Sequence, residues 1–211
     1  DSVASRGLGD VYKRQRQQQV LDLANPDAYR HIADRLLALL GEYPIAYLKW
    51  DHNRDLVDAG SGPGGSPRVR EHTLALYRLL DELKAAHPDL EIESCASGGA
   101  RVDLGILDRT DRIWTSDSLD PIERLENQRY TGLVVPPEMM GMHLTSPVVH
   151  SSGRTVSLEL SAAVALLGHF GVEWDLTSAD EETRGRVAAW IALAKRLRPL
   201  IADGTVVHVD G

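Results

Sequence analysis

The sequence predicts an α/β protein with a parallel sheet, and two observations support this prediction. Short apolar, β-rich segments alternate with segments of 3.6-residue periodicity, which is the order expected of repeated βα units. Polar side chains follow the predicted strands, where both a barrel and an open doubly wound sheet place their active sites. No glycine-rich phosphate-binding turn follows a strand, which disfavours nucleotide binding. The strand-end residues are Asp51, Asn53, Cys95, Asp117, His143 and Asp175.

The first half of the chain predicts strands separated by two long helices. Asn25 is a good cap for a helix over residues 27–40, with Pro26 in its first turn. A second helix over residues 68–87 has leucines at helical spacing, and the glycine-rich stretch 60–67 before it predicts a flexible surface loop. The strands are predicted over residues 19–23, 45–50 and 90–94.

The second half continues the same alternation of strands and helices. Strands are predicted over residues 112–115, 139–143 and 170–173. Helices are predicted over residues 102–107, 122–133, 156–167 and 181–197. A β pattern at residues 205–209 (TVVHV) predicts the start of a further structural element.

Composition excludes several classes of protein. The chain has 211 residues, 43% of them hydrophobic, which is ample for one packed domain. With a net charge of −8 and scattered basic residues, nothing predicts binding to nucleic acid. A single cysteine excludes an internal disulfide, and no apolar run is long enough to predict a membrane span. Residues 1–15 lack apolar periodicity and resemble a translated sequencing adaptor, so we expect them to be a non-native leader.

The densest polar cluster begins at the end of the strand predicted over residues 45–50. Alternation along a strand predicts that Lys49, Asp51 and Asn53 share one face. A lysine beside a carboxylate keeps it ionised, and an ionised carboxylate suits nucleophilic attack on a sugar's anomeric carbon. The alternative is a surface loop with an unremarkable salt bridge.

A second carboxylate cluster, residues 116–120, follows the next strand but one. Asp117 is the natural partner carboxylate, and Trp114 could desolvate it and so raise its pKa, as a general acid requires. Alternatively, Asp117 or Asp120 caps the helix that begins near Pro121. Since Asp120-Pro121 is the better cap and first-turn pair, we assign the cap to Asp120 and leave Asp117 for chemistry.

Between these clusters lies the segment 94–101, in which two glycines would let the backbone approach a ligand closely. Cys95 is either a nucleophile or, as is commoner, a buried structural thiol. The histidines His143, His150 and His169 could bind a metal, but their spacings match no compact metal motif.

Five segments together resemble α-galactosidases of glycoside hydrolase family 36. Residues 47–55 (YLKWDHNRD), 94–105 (SCASGGARVDLG) and 113–125 (IWTSDSLDPIERL) are similar to its three core motifs, in order and in spacing. Residues 139–146 and 168–176 are also similar to that family, so the resemblance covers about residues 16–211.

The resemblance implies a (β/α)8 catalytic barrel, flanked by β domains, and a retaining mechanism that needs no metal or other cofactor. Asp51 falls on the nucleophile and Asp117 on the acid/base. Lys49 and Asn53 fall on positions that bind galactose hydroxyls, and Cys95 falls on a substrate contact. Trp114 falls on an aromatic residue near the acid/base, and Gly98 is carried over as a further contact. The family's paired aspartates and a tryptophan from earlier strands have no match here.

These implications define the expected domains and activity. Residues 16–200 would be the C-terminal part of a (β/α)8 barrel, truncated at its N-terminus, and residues 201–211 the start of a C-terminal β domain. The intact enzyme would release terminal α-galactose from oligosaccharides, while this fragment alone would be inactive. An α-N-acetylgalactosaminidase, a galactosyl-transferring relative and a catalytically dead carbohydrate-binding remnant stay open as alternatives. A cytoplasmic location, without membrane or nucleic-acid partners, is expected, and homo-oligomerisation is left open.

Overall fold

The computed structural model describes residues 20–54, 56, 60–61, 65–207 and 209. The chain divides into two compact units. Unit 1 comprises residues 1–96 and 101–110, and unit 2 comprises residues 97–100 and 111–211. None of the described helices is both long and apolar enough to cross a membrane.

Unit 1 contains a pair of parallel strands and two long helices. Strand β1 (Tyr47–Asp51) pairs in parallel with β4 (Glu91–Cys95), in a register that places Lys49 opposite Glu93 and Asp51 opposite Cys95. The short strands β2 and β3 pair antiparallel, so the ends of the stretch predicted as a loop are hydrogen-bonded to each other. The elements are α1 (Pro26–Glu42), β1 (Tyr47–Asp51), β2 (Gly60–Ser61), β3 (Ser66–Pro67), α2 (Val69–Ala86), β4 (Glu91–Cys95) and α3 (Leu104–Leu107).

The core of unit 1 explains which face β1 turns outward. Leu48 and Trp50 pack against a cluster whose centre consists of fully buried side chains from α2, β4 and α3. Because side chains alternate along a strand, the residues between them lie on the other face, and Asp51 is exposed there at the strand's carboxyl end. The central side chains of the cluster are Leu79, Leu80, Leu83, Ile92 and Ile106.

Unit 2 repeats the βα pattern three times. Strand β5 (Arg112–Trp114) pairs in parallel with β6 (Met140–Thr145), and β6 pairs in parallel with β7 (His169–Glu173). The apolar face of this unit packs Leu144, Ala162 and Val187 into a buried cluster. The elements are β5 (Arg112–Trp114), α4 (Pro121–Thr131), β6 (Met140–Thr145), α5 (Leu158–Ala165), β7 (His169–Glu173) and α6 (Glu181–Asp203), with 3₁₀ turns at Pro137–Met139 and Leu176–Ser178.

The prediction of a strand over residues 19–23 is wrong for residues 20–23, and residue 19 lies outside the described residues. The chain turns instead: the Asn25 N–H donates to the Asp22 carbonyl at 3.1 Å, and the Asp22 carboxylate accepts from the Ala24 N–H at 3.0 Å. An aspartate that bonds to the backbone two residues on favours a turn over a strand.

The strand predicted over residues 205–209 is also absent at residues 205–207 and 209, and residue 208 lies outside the described residues. Helix α6 continues through Pro199 to Asp203, beyond its predicted end at residue 197. A strand needs a partner for its backbone groups, and apolar side chains such as Val207 stay exposed here. The predicted domain boundaries at residues 15/16 and 200/201 stay predictions.

Candidate active site

Asp51 is the last residue of β1, and its carboxylate accepts a hydrogen bond from the Asn53 side-chain amide. Lys49 lies on the same face, two residues earlier, as alternation predicts. Its Nζ is 3.2 Å from Oε1 of Glu93, a carboxylate on β4 that is 2% exposed. Sequence reasoning missed Glu93; only the register between β1 and β4 places it opposite Lys49.

Cys95 lies opposite Asp51 at the end of β4. It is not in a disulfide and only 2% exposed, so the structure places a buried thiol next to the exposed Asp51. The residue after β1 is also bonded to Cys95, because the His52 N–H donates to the Cys95 carbonyl at 3.0 Å. A role for Cys95 as pocket wall stays a prediction.

Arg101 connects the same two strand ends from within unit 1. Its Nη2 donates to the carbonyls of Trp50 and Cys95, each at 3.1 Å. Burial lowers the pKa of Arg101, while the nearby Cys95 and Asp51 act in the opposite direction. This arginine follows the glycines of segment 94–101, but nothing in its sequence context indicated that it would join the ends of β1 and β4.

Asp117 follows β5 in unit 2 and accepts a hydrogen bond from the indole Nε1–H of Trp114 at 3.1 Å. Trp114 is 3% exposed, so packing fixes the indole that makes this contact. The sequence predicted that Trp114 lies beside Asp117, and the structure shows that the two side chains are joined by a hydrogen bond. A neutral N–H donor aimed at a carboxyl group gives that group a defined orientation.

Asp120, and not Asp117, caps α4, as the sequence predicted. Its side chain accepts from the Ile122 N–H at 3.0 Å, and its other oxygen is 2.7 Å from Nε of Arg154. Burial alone would raise the pKa of Asp120, but the hydrogen bonds from Arg154 and from the Ile122 N–H, among others, outweigh it and lower the pKa. Asp117 is therefore not needed as the helix cap.

Gly98 has a left-handed backbone conformation, with φ of 81°. A Cβ at this position would lie 2.8 Å from Cα of Ser116 and 3.2 Å from the backbone nitrogen of Asp117. The missing side chain therefore lets the 97–100 segment lie directly against the backbone that carries Asp117. The predicted contact between Gly98 and a ligand stays a prediction.

The predicted histidines do not form a metal centre in the described part of the chain. No group of three or more His, Cys, Asp or Glu side chains able to hold a metal ion occurs there. His143 instead has its Nδ1 2.9 Å from Oε2 of Glu173, and its ring packs on Trp114. His150 is exposed in a turn, and His169 begins β7.

The predicted site residues thus fall into two groups, one in each unit. Asp51, Lys49, Asn53 and Cys95 gather at the strand ends of unit 1, and Gly98, Trp114 and Asp117 gather in unit 2. Asp175, the remaining strand-end carboxylate, caps a 3₁₀ turn by accepting from the Thr177 N–H at 3.0 Å.

Comparison with known proteins identifies strong similarities. The melibiase family model matches residues 8–204, beginning inside the stretch predicted as a leader. The alpha-galactosidase of Escherichia coli is 42% identical over 195 residues, which are 92% of this chain and 27% of that protein. Alpha-galactosidase C of Emericella nidulans is 40% identical over 195 residues, which are 92% of this chain and 25% of that protein.

Solved structures give the same result. The GH36 alpha-galactosidase AgaA of Geobacillus stearothermophilus matches with a TM-score of 0.90 at 34% identity, covering 97% of this chain and 29% of that one. A variant of that enzyme, solved in complex with raffinose, matches with a TM-score of 0.89 at 33% identity, over 97% of this chain and 29% of that one. The matches confirm the predicted α/β fold, part of a (β/α)8 barrel. The chain spans less than a third of the length of these relatives.

Proposed function

Because this chain belongs to the melibiase family of GH36 α-galactosidases, we propose that it supplies the two catalytic carboxylates of a retaining α-galactosidase. One observation carries the proposal: Asp51 ends the parallel strand β1 and Asp117 lies three residues beyond the end of the parallel strand β5, and a barrel places its catalytic groups at such strand ends. Each is also hydrogen-bonded by a nearby side chain, Asn53 for Asp51 and Trp114 for Asp117.

The proposed reaction is a double displacement. An oxygen of Asp51 attacks the anomeric carbon of galactose, while the acid form of Asp117 gives its proton to the departing glycosidic oxygen. The galactosyl group is then bonded to Asp51. In the second step Asp117, now a carboxylate, takes a proton from water, whose oxygen attacks the same carbon and frees Asp51.

The proposed substrates are oligosaccharides that end in α-linked galactose. Variants of the related enzyme AgaA have been solved with raffinose and with stachyose. Lys49, Asn53 and Cys95 would line the galactose site beside Asp51, since Lys49 and Asn53 are two residues from it along the chain and Cys95 lies opposite it in the register of β1 and β4. The presence of both carboxylates argues against a catalytically dead remnant.

The test uses two substrates and two variants, each made in the whole protein to which this chain belongs. Asp51→Ala should lower turnover of every substrate by about 10⁴-fold, because no galactosyl-enzyme can form. Asp117→Ala should lower turnover of raffinose by about 10²–10⁴-fold, yet spare the first step on an aryl α-galactoside whose leaving group departs without protonation. Added azide should then accelerate breakdown of the galactosyl-enzyme and give a galactosyl azide of retained configuration.

Asp34→Ala is the matched control, since Asp34 is an exposed aspartate on α1 and should leave both rates unchanged. Equal losses on the two substrates in Asp117→Ala, without rescue by azide, would contradict the role of Asp117. Substantial turnover in Asp51→Ala would contradict the role of Asp51.

A further inference from the structure

A continuous chain of contacts runs across three neighbouring strands of unit 2 and ends at Asp117. The Trp114 Nε1–H donates to Asp117 Oδ1 at 3.1 Å. The indole packs on the His143 ring, with centroids 4.4 Å apart and the planes tilted by 44°. The His143 Nδ1 lies 2.9 Å from Glu173 Oε2. The proposed reaction gives no role to His143 or Glu173.

The position of the His143 ring is fixed from two sides. Gly171 lies opposite His143 in the register of β6 and β7. A Cβ on Gly171 would come within 2.5 Å of Cδ2 and 2.7 Å of Nε2 of the histidine ring, so the ring lies directly over the glycine. Glu173, two residues further along β7, holds Nδ1. The His143 ring therefore contacts β7 at Gly171 and Glu173 and packs on the Trp114 indole.

The indole has a second neighbour in addition to the histidine. The guanidinium Cζ of Arg124 lies 4.6 Å from the centre of the Trp114 ring, and its Nη2 donates to the Gly141 carbonyl at 3.3 Å. Trp114 and Arg124 are both 3% exposed. The indole that donates to Asp117 is therefore packed between the guanidinium of Arg124 and the ring of His143.

We propose that His143, oriented by Glu173 and seated over Gly171, is a positioning residue that holds the Trp114 indole in the orientation that directs Asp117. This inference rests on the proposed role of Asp117 as acid/base. Proton transfer needs the acid within hydrogen-bond distance of the leaving oxygen, and a misplacement of about 1 Å can cost about 10²-fold in rate. Loss of His143 should therefore weaken acid catalysis specifically.

The experiment measures kcat/KM of the whole protein on raffinose and on an aryl α-galactoside with a good leaving group. His143→Ala should lower kcat/KM on raffinose by about 10- to 100-fold and change it about 3-fold or less on the aryl substrate, because only raffinose needs protonation. Glu173→Ala should have the same selective effect. Glu173→Gln should retain activity close to the wild-type value, unlike Glu173→Ala, since its amide oxygen can still accept a hydrogen bond from the histidine N–H.

Gly171→Ala is a second way to displace the ring, and it keeps every side chain of the contact chain. Gly171→Ala should reproduce the selective loss of kcat/KM on raffinose. It therefore tests the same proposal if His143→Ala fails to fold. His31→Ala, which alters an exposed histidine on α1, is the matched control and should change neither substrate.

The two proposals fail in different ways. If Asp117→Ala itself shows no leaving-group dependence, the proposed function is wrong. If Asp117→Ala is selective but His143→Ala and Gly171→Ala lower both substrates equally, or neither, the positioning role is wrong. A loss in Glu173→Gln as large as in Glu173→Ala would contradict orientation by a hydrogen bond.

Discussion

Each candidate catalytic carboxylate accepts a hydrogen bond from a side chain two or three residues away in the chain, Asn53 for Asp51 and Trp114 for Asp117. Such contacts can be predicted from the sequence, because they join residues close together in the chain, at the end of a strand or in the turn that follows it. The partners Glu93 and Arg101 could not be predicted in the same way. They depend on which strands pair and in what register, and the local pattern leaves the register undetermined.

The galactose site proposed around Asp51 predicts a combined kinetic effect. Asn53→Ala or Lys49→Ala should raise KM, lower kcat, and lower kcat/KM by about 10- to 100-fold, as expected for loss of a hydrogen bond to a charged group. Both should act on kcat because such bonds strengthen as the sugar approaches its oxocarbenium-like transition state. Steady-state kinetics on raffinose measure this, with the exposed Lys195→Ala on α6 as control. An unchanged kcat with a raised KM would contradict the strengthening of these bonds in the transition state, and unchanged values of both would place the residues outside the site.

A pair of glycines should respond oppositely to the same substitution. Gly98→Ala adds a Cβ that would lie 2.8 Å from Cα of Ser116, at a φ of 81°, so we expect a loss of about 1–3 kcal/mol of stability and lower activity on raffinose. Gly185→Ala in α6 meets open space and should stabilise the protein by about 0.4–1 kcal/mol. Thermal unfolding and kinetics measure both. A neutral Gly98→Ala would contradict the close approach of its segment to Ser116.

At the scale of elements, periodicity and caps predicted most helices and strands to within a few residues. Asn25 caps α1 and Asp120 caps α4, as expected from their chemistry. The two misassigned strands lie at opposite ends of the described chain. A β pattern becomes a strand only if another strand pairs with it, and that depends on the fold around the segment. The continuation of α6 through Pro199 was missed because a proline usually ends a helix.

The α4 cap should respond to pH through its ion pair with Arg154. The pKa of Asp120 is lowered in the folded protein, so its ionised form stabilises α4 above the unfolded value of about 3.9, and this contribution is lost as pH falls through the folded pKa. Asp120→Asn keeps a capping side chain but removes the charge. Hydrogen-exchange protection of α4 should fall about 10-fold or more at neutral pH and approach the wild-type value in acid.

Asp34→Asn on the exposed face of α1 is the control for that experiment and should leave the protection of α4 unchanged. Protection factors, which correct for the intrinsic exchange rate, allow the two pH values to be compared. A difference between Asp120→Asn and wild type that is equally large in acid would show that the ion pair does not account for the pH dependence.

At the scale of the whole molecule, the family was predictable because five separate segments, between residues 47 and 176, lie in the right order along the chain. No single motif would have sufficed, since carboxylates after strands occur in many α/β proteins. The chain covers less than a third of the length of its relatives. Its structural relatives are more than three times as long, so what the whole protein hydrolyses stays a proposal.

Expressed by themselves, residues 16–211 should aggregate or associate, with no measurable α-galactosidase activity. In the described part of the chain β1 pairs with β4 alone, and an exposed strand edge can pair with another chain. Apolar side chains such as Leu133 and Val134 are also more than 70% exposed. Sedimentation and an assay on an aryl α-galactoside measure the outcome. A monodisperse, cooperatively melting and active monomer would contradict the prediction.

Trapping the galactosyl-enzyme would identify the attacking carboxylate. In Asp117→Ala the first step proceeds on an activated aryl α-galactoside, while the second is slow, so the intermediate should accumulate. Digestion at acid pH followed by mass spectrometry should find one hexosyl group on the peptide that contains Asp51, and the released galactose should have the α configuration. An adduct on any other residue, or release of β-galactose without an adduct, would contradict the assignment of Asp51 as nucleophile of a retaining enzyme.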